Sequence, residues 1–124
     1  MHRSRVAALV IDCDDMDAGV TFWAQALGAE PRRLDDTYVT LGPAISGLVV
    51  LLQRVPEPKT VKSRMHIDFE TDDMEAEMQR LEGLGAKRIR QGDAWWIMED
   101  PCGNEFCVAG AHTPVFEEQA RTWS

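Results

Sequence analysis

The sequence is short of most features that announce a specialised class. Its three cysteines, Cys13, Cys102 and Cys107, are odd in number and form no CxxC, so neither a disulfide framework nor a structural zinc site is indicated, and a reducing cytoplasm is the expected compartment. The apolar runs Val6–Ile11 and Leu48-Val49-Val50-Leu51-Leu52 are both far below the roughly 20 residues of a membrane helix. The basic start MHRSR with Val6–Ile11 behind it is likewise too short for a signal peptide. Basic residues are outnumbered, 13 against 21 acidic, for a net charge of −8, which argues against nucleic acid and anionic membrane as partners. Aromatic content is 7%. No HExxH, nucleophile elbow, P-loop or GxGxxG is present, so hydrolase, kinase and dinucleotide readings have no warrant.

What is there, in 124 residues and 44% hydrophobic content, is enough for one globular domain built from a repeat. After Asp14-Asp15 come Met16, Val20, Trp23 and Leu27; after Asp72-Asp73 come Met74, Met78, Leu81 and Leu84. The first three pairs are offset by 58 residues, and the leucines and the terminators Gly28-Ala29 and Gly85-Ala86 by 57. Both halves therefore predict the same amphipathic helix, its acidic pair capping the first amides and its glycine ending it at positive φ.

Before each helix lies an apolar segment ending in Ile-Asp or just beyond it, Val6–Asp12 and Arg64–Thr71, both expected as strands. The first helix is followed by Glu30–Leu34, a turn at Asp35-Asp36, Thr37–Leu41, a break at Gly42-Pro43, and Gly47–Arg54. The second is followed by Lys87–Arg90, a turn at Gly92-Asp93, Ala94–Glu99, a break at Asp100-Pro101-Cys102-Gly103, and Asn104–Ala109. The expectation is an α+β chain of two tandem βαβββ modules, the first about 5–55 and the second about 62–110. A proline-bearing linker at 56–61 and a tail at 111–124 complete the single domain 1–124.

Alternation along the fifth strand puts Met65, Ile67 and Phe69 on one face and His66, Asp68 and Glu70 on the other. The last strand sets Phe106 and Val108 against Glu105, Cys107 and Ala109. His66 and Glu105 could then share a cavity and a divalent cation, or be a hydrogen-bonded histidine and a solvated carboxylate. Trp95-Trp96 straddles a strand, so one indole belongs to the core and the other is free to stack on a ligand. Cys107 reads as a small core residue with no basic partner in view; His2 and His112 read as solvated ends.

The strings Asp15…Phe22-Trp23…Leu27-Gly28, Lys62-Ser63-Arg64-Met65-His66-Ile67-Asp68, Leu84-Gly85-Ala86 and Asp100-Pro101-Cys102-Gly103-Asn104-Glu105-Phe106 together resemble the vicinal oxygen chelate superfamily. That group includes glyoxalase I, bleomycin-resistance proteins and extradiol dioxygenases, and the chain is most similar to its bacterial glyoxalase-like members over about residues 5–110. The resemblance implies a cupped, incomplete barrel around one small-molecule cavity, commonly in a homodimer. It implies metal ligands on the first, fourth, fifth and eighth strands, which map to Ala8, Gln53 (or Leu51), His66 and Glu105. Ala8 carries no donor, so Zn, Ni, Mn or Fe held by His66 and Glu105 alone would bind loosely.

Two functions follow. One is a metal-dependent lyase, isomerase or dioxygenase-type enzyme with His66 and Glu105 on the metal, Glu105 and Asp68 as catalytic groups, and Gln53, Glu70, Trp95 and Trp96 around the ligand. The other is a metal-free pocket of the bleomycin-resistance type that captures a flat or cationic compound. A scaffolding role would leave the polar crowd on the concave face without a purpose.

Overall fold

The computed structural model of the chain describes residues 1, 3, 7–45 and 48–123. Among them the repeat is realised twice: β1 (Ala8–Cys13), α1 (Met16–Leu27), β2 (Glu30–Arg33), β3 (Tyr38–Ile45) and β4 (Leu48–Arg54), then β5 (Ile67–Thr71), α2 (Met74–Gly83), β6 (Lys87–Gln91), β7 (Trp95–Glu99) and β8 (Glu105–Gly110), with α3 (Phe116–Gln119) in the tail. Each half forms an open four-stranded mixed sheet, ordered β1-β4-β3-β2 and β5-β8-β7-β6. In both, the first strand pairs in parallel with the fourth, and the remaining pairs are antiparallel. The chain divides into two compact units, 1–61 with 101–103 and 62–100 with 104–123 of the described residues.

The caps follow the expected chemistry. Asp15 accepts the amide of Ala18 at 3.1 Å and Asp73 that of Ala76 at 3.0 Å. Gly28 (φ 64) and Gly85 (φ 115) supply the left-handed residue after each helix, where a β-carbon would clash. In the first unit Phe22, Trp23, Leu41, Val50 and Leu52 are buried, with the Phe22 and Trp23 rings edge to face at 5.1 Å. In the second, Met78, Leu81, Met98, Phe106 and Val108 play that part, and Phe69 meets Phe106 edge to face at 5.6 Å.

The structure departs from the expected boundaries in two places. Alternation expects Met65 on the apolar face, but β5 starts at Ile67, so Met65 precedes the sheet and is 80% exposed. The expected break at Gly42-Pro43 lies within β3, where a register shift between Leu41 and Ile45 lets the strand continue past a proline that cannot donate to a ladder. The expected strand starts at Val6 and Gly47 lie outside the described residues.

The tail docks on the second unit through one carboxylate and one ring. Glu70 accepts the amides of His112 and Thr113, both at 3.0 Å, and the Thr113 hydroxyl. The Arg80 guanidinium, itself bidentate to buried Glu77, lies 3.8 Å from the centroid of Trp123. The Thr113 and His112 hydrogen bonds hold the Glu70 carboxyl below the ordinary carboxylate range. A carboxylate with a lowered folded value stabilises above its unfolded value and loses that contribution as pH falls through the folded one.

Burial on the helix side of β8 makes Phe106→Ala cost about 3–5 kcal/mol by urea denaturation, against well under 1 kcal/mol for Ala109→Ser on the other face. Equal losses would contradict the two-faced strand. Glu70→Gln is expected to speed hydrogen exchange at His112 and Thr113 while leaving α2 protected; unchanged exchange there would show that the tail is held by something else.

Candidate functional site

The pairing registers set one face of the second sheet. β5 against β8 places Asp68 beside Cys107 and Glu70 beside Ala109. β7 against β8 places Ile97 beside Cys107, Trp95 beside Ala109 and Glu99 beside Glu105. Because side chains alternate, Asp68, Cys107, Ile97 and Arg90 form one row across the sheet, with Ala109 and Trp95 in the next. The opposite rows, Ile67-Phe106-Met98 and Phe69-Val108-Trp96, face α2.

The first face lines a cavity of about 620 Å³. Asp68, Arg90, Trp95, Ile97, Glu105, Cys107 and Ala109 contribute from the strands; Lys62, His66 and His112 from the segments around them. Trp95 is the pocket indole. A β-carbon on Gly92 would lie 2.4 Å from its Cε2, so the glycine leaves the room in which that ring lies. Trp96 points to the other face and stands 5.6 Å from the Arg88 guanidinium. Of the other expected ligand-binding residues, Glu70 is spent on the tail, and Gln53 lies on β4 of the first unit, between Asp12 and Tyr38 in register.

The polar groups of the cavity are not equally engaged. His66 Nε2 is 3.1 Å from Asp68 Oδ1. The Cys107 thiol also bonds to Asp68, and burial together with that carboxylate pushes the thiol up, against a smaller opposing pull from Lys62. The thiol therefore stays protonated at neutral pH and is no thiolate nucleophile. Glu105 Oε2 accepts the Ser63 amide at 3.0 Å. Lys62 and Arg90, by contrast, carry no hydrogen bond or ion pair among the described residues. The turn that delivers Glu105 explains the Asp100…Asn104 string: buried Asp100 accepts the backbone amide of Asn104 at 2.8 Å and its side-chain amide at 2.9 Å, and Gly103 takes a φ of 84.

The metal pair expected from the resemblance, His66 and Glu105, has both members in this lining, but each also has a partner of its own: His66 faces Asp68, and Glu105 holds Ser63. The structure instead gathers donor atoms of His66, Asp68 and Cys107 within 4.8 Å of one another. Cys107 was missed because a half-buried cysteine reads as core; its alternation with Phe106 and Val108 was the available signal. Lys62 heads the Lys62…Asp68 string but had no role assigned to it, and Arg90 had no motif to announce it.

A second cavity, about 430 Å³ in the first unit, includes Arg33 and Arg54. Both are already engaged, Arg33 with Asp36 and Arg54 Nε with the Asp36 carbonyl at 3.1 Å. No described helix is long and apolar enough to cross a membrane.

Comparison with known proteins gives the following. The model of a family described as "Glyoxalase-like domain" matches residues 8–109. Among solved structures, a glyoxalase-related enzyme from Fulvimarina pelagi is 17% identical, covering 88% of this chain and 89% of its own, with a TM-score of 0.68. A glyoxalase/bleomycin resistance protein/dioxygenase family enzyme from Burkholderia phytofirmans PsJN is 15% identical (88% and 100% covered, TM-score 0.69). The E126Q mutant of the fosfomycin resistance protein FosX from Listeria monocytogenes, in complex with Mn(II) and 1S,2S-dihydroxypropylphosphonic acid, is 14% identical (96% and 98%, TM-score 0.70). No curated protein matches.

Proposed function

The chain belongs to the glyoxalase-like domain family, and from that premise we propose that it is a small-molecule-binding protein whose ligand is an anion with a flat apolar body, held in the cavity of the second unit. The observation that carries the reading is the imbalance of engagement in that cavity. Asp68 and Glu105 already have partners, whereas the Lys62 and Arg90 side chains carry no hydrogen bond or ion pair among the described residues. A carboxylate or phosphonate would give the guanidinium the bidentate partner its geometry suits, and the Trp95 indole, 40% exposed, offers a face for stacking. The Listeria neighbour holds a phosphonic acid, so a small anion is compatible with this fold. A cationic ligand has weaker support, since it would have to displace Ser63 or His66 from the carboxylates and sit beside the cationic Lys62 and Arg90.

A second reading, an enzyme of lyase or isomerase type, draws support from the His66–Asp68 pair: a carboxylate within 3.1 Å of an imidazole is placed to pass a proton taken from a bound substrate. It needs the same cavity and differs only in turnover.

The test is a panel of aromatic carboxylates, phosphonates and matched amines, read by quenching of tryptophan fluorescence and by thermal shift. Anions are expected to bind and amines not, with Arg90→Ala weakening affinity about tenfold or more and added salt weakening it further. Tighter binding of the amines, or an unchanged affinity in Arg90→Ala, would overturn the reading.

A further inference from the structure

We propose that His66, Asp68 and Cys107 form a site for one thiophilic divalent cation, Zn²⁺ foremost. Among the described residues these three side chains are the group of His, Cys, Asp and Glu that brings three donor atoms within 4.8 Å of each other. Zinc bonds of about 2.0–2.3 Å in a tetrahedron set donors roughly 3.3–3.8 Å apart, so donors within 4.8 Å of one another need only small shifts to surround the ion. The strand register makes the cluster structural: Asp68 and Cys107 are direct neighbours on β5 and β8, and His66 Nε2 already lies 3.1 Å from Asp68 Oδ1.

The donor chemistry selects the ion. An imidazole, a carboxylate and a sulfur suit zinc or cobalt, while magnesium and calcium favour oxygen alone. On binding, the metal–sulfur bond replaces the Cys107 S–H bond, the proton leaves to solvent, and no electron is transferred. Thiolate and carboxylate together then carry two negative charges, matching the ion and offsetting the repulsion of nearby Lys62 and Arg90. Three protein donors leave the fourth tetrahedral position to water or to an oxygen of a bound ligand.

This set differs from the pair the family resemblance implies: it keeps His66 but uses Asp68 and Cys107 in place of Glu105, whose carboxylate holds the Ser63 amide. The inference rests on the second-unit cavity being the binding site. It does not depend on the charge of the organic ligand.

The experiment is a Co²⁺ titration of the full chain followed by absorbance. A single ion per chain is expected, with a near-ultraviolet sulfur-to-cobalt charge-transfer band that Zn²⁺ abolishes by competition. Cys107→Ser should remove the band and weaken Zn²⁺ binding by about tenfold or more, whereas Cys102→Ser and Glu105→Gln should keep the band. Cobalt binding without the band, a band that survives Cys107→Ser, or a band lost with Glu105→Gln in a chain whose circular dichroism is unchanged would overturn the proposal. Because the readout is a metal–sulfur band, failure here is distinguishable from failure of anion binding, which is read on tryptophan.

Discussion

The parallel pairing of β5 with β8 is the constraint on which the second unit depends. A parallel pair cannot be closed by a tight turn; it requires a crossover, and α2 with β6 and β7 supplies it. The register it fixes puts Asp68 beside Cys107 on one face and Ile67 beside Phe106 on the other. A slip of one residue would exchange those faces, burying Asp68 and exposing Phe106. The buried ring of Phe106, edge to face with Phe69, is thus what holds the polar row towards the cavity. Core packing and site geometry are two sides of one strand.

The electrostatics of that row run against the chain as a whole. A net charge of −8 would suggest an acidic pocket, yet the carboxylates are consumed locally. Asp73 caps a helix, Glu70 holds the tail, Glu105 holds Ser63, and Asp68 faces His66 and Cys107. Among the described residues, the charged cavity side chains without a hydrogen bond or ion pair are the cations Lys62 and Arg90. Net charge governs solubility and long-range steering; ligand preference is set by the few groups whose hydrogen-bonding capacity is left over.

The helices, their caps and the duplicated βαβββ order were legible in the sequence because each rests on local chemistry: an Asp for orphan amides, a Gly for positive φ, an apolar period of about 3.6. The two faces of β5 and β8 were legible by alternation. Met65 misled because alternation does not say where a strand begins. The continuation of β3 past Pro43 was hidden because a bulge absorbs what reads as a break. The choice between Trp95 and Trp96 was left open, since adjacent residues on a strand are equivalent until a partner strand fixes the register. Lys62, Arg90 and Cys107 came together only through pairings between segments distant in sequence, which no local pattern encodes.

The proposed function places ligand binding on the Asp68–Cys107–Ile97–Arg90 face of the second sheet. The most direct measurement is backbone amide shift mapping by NMR during titration with an aromatic carboxylate. Shifts are expected to concentrate at Asp68, Trp95, Cys107 and Ala109, with the cavity around Arg33 and Arg54 unaffected. Shifts concentrated around Arg33 and Arg54 instead would contradict it.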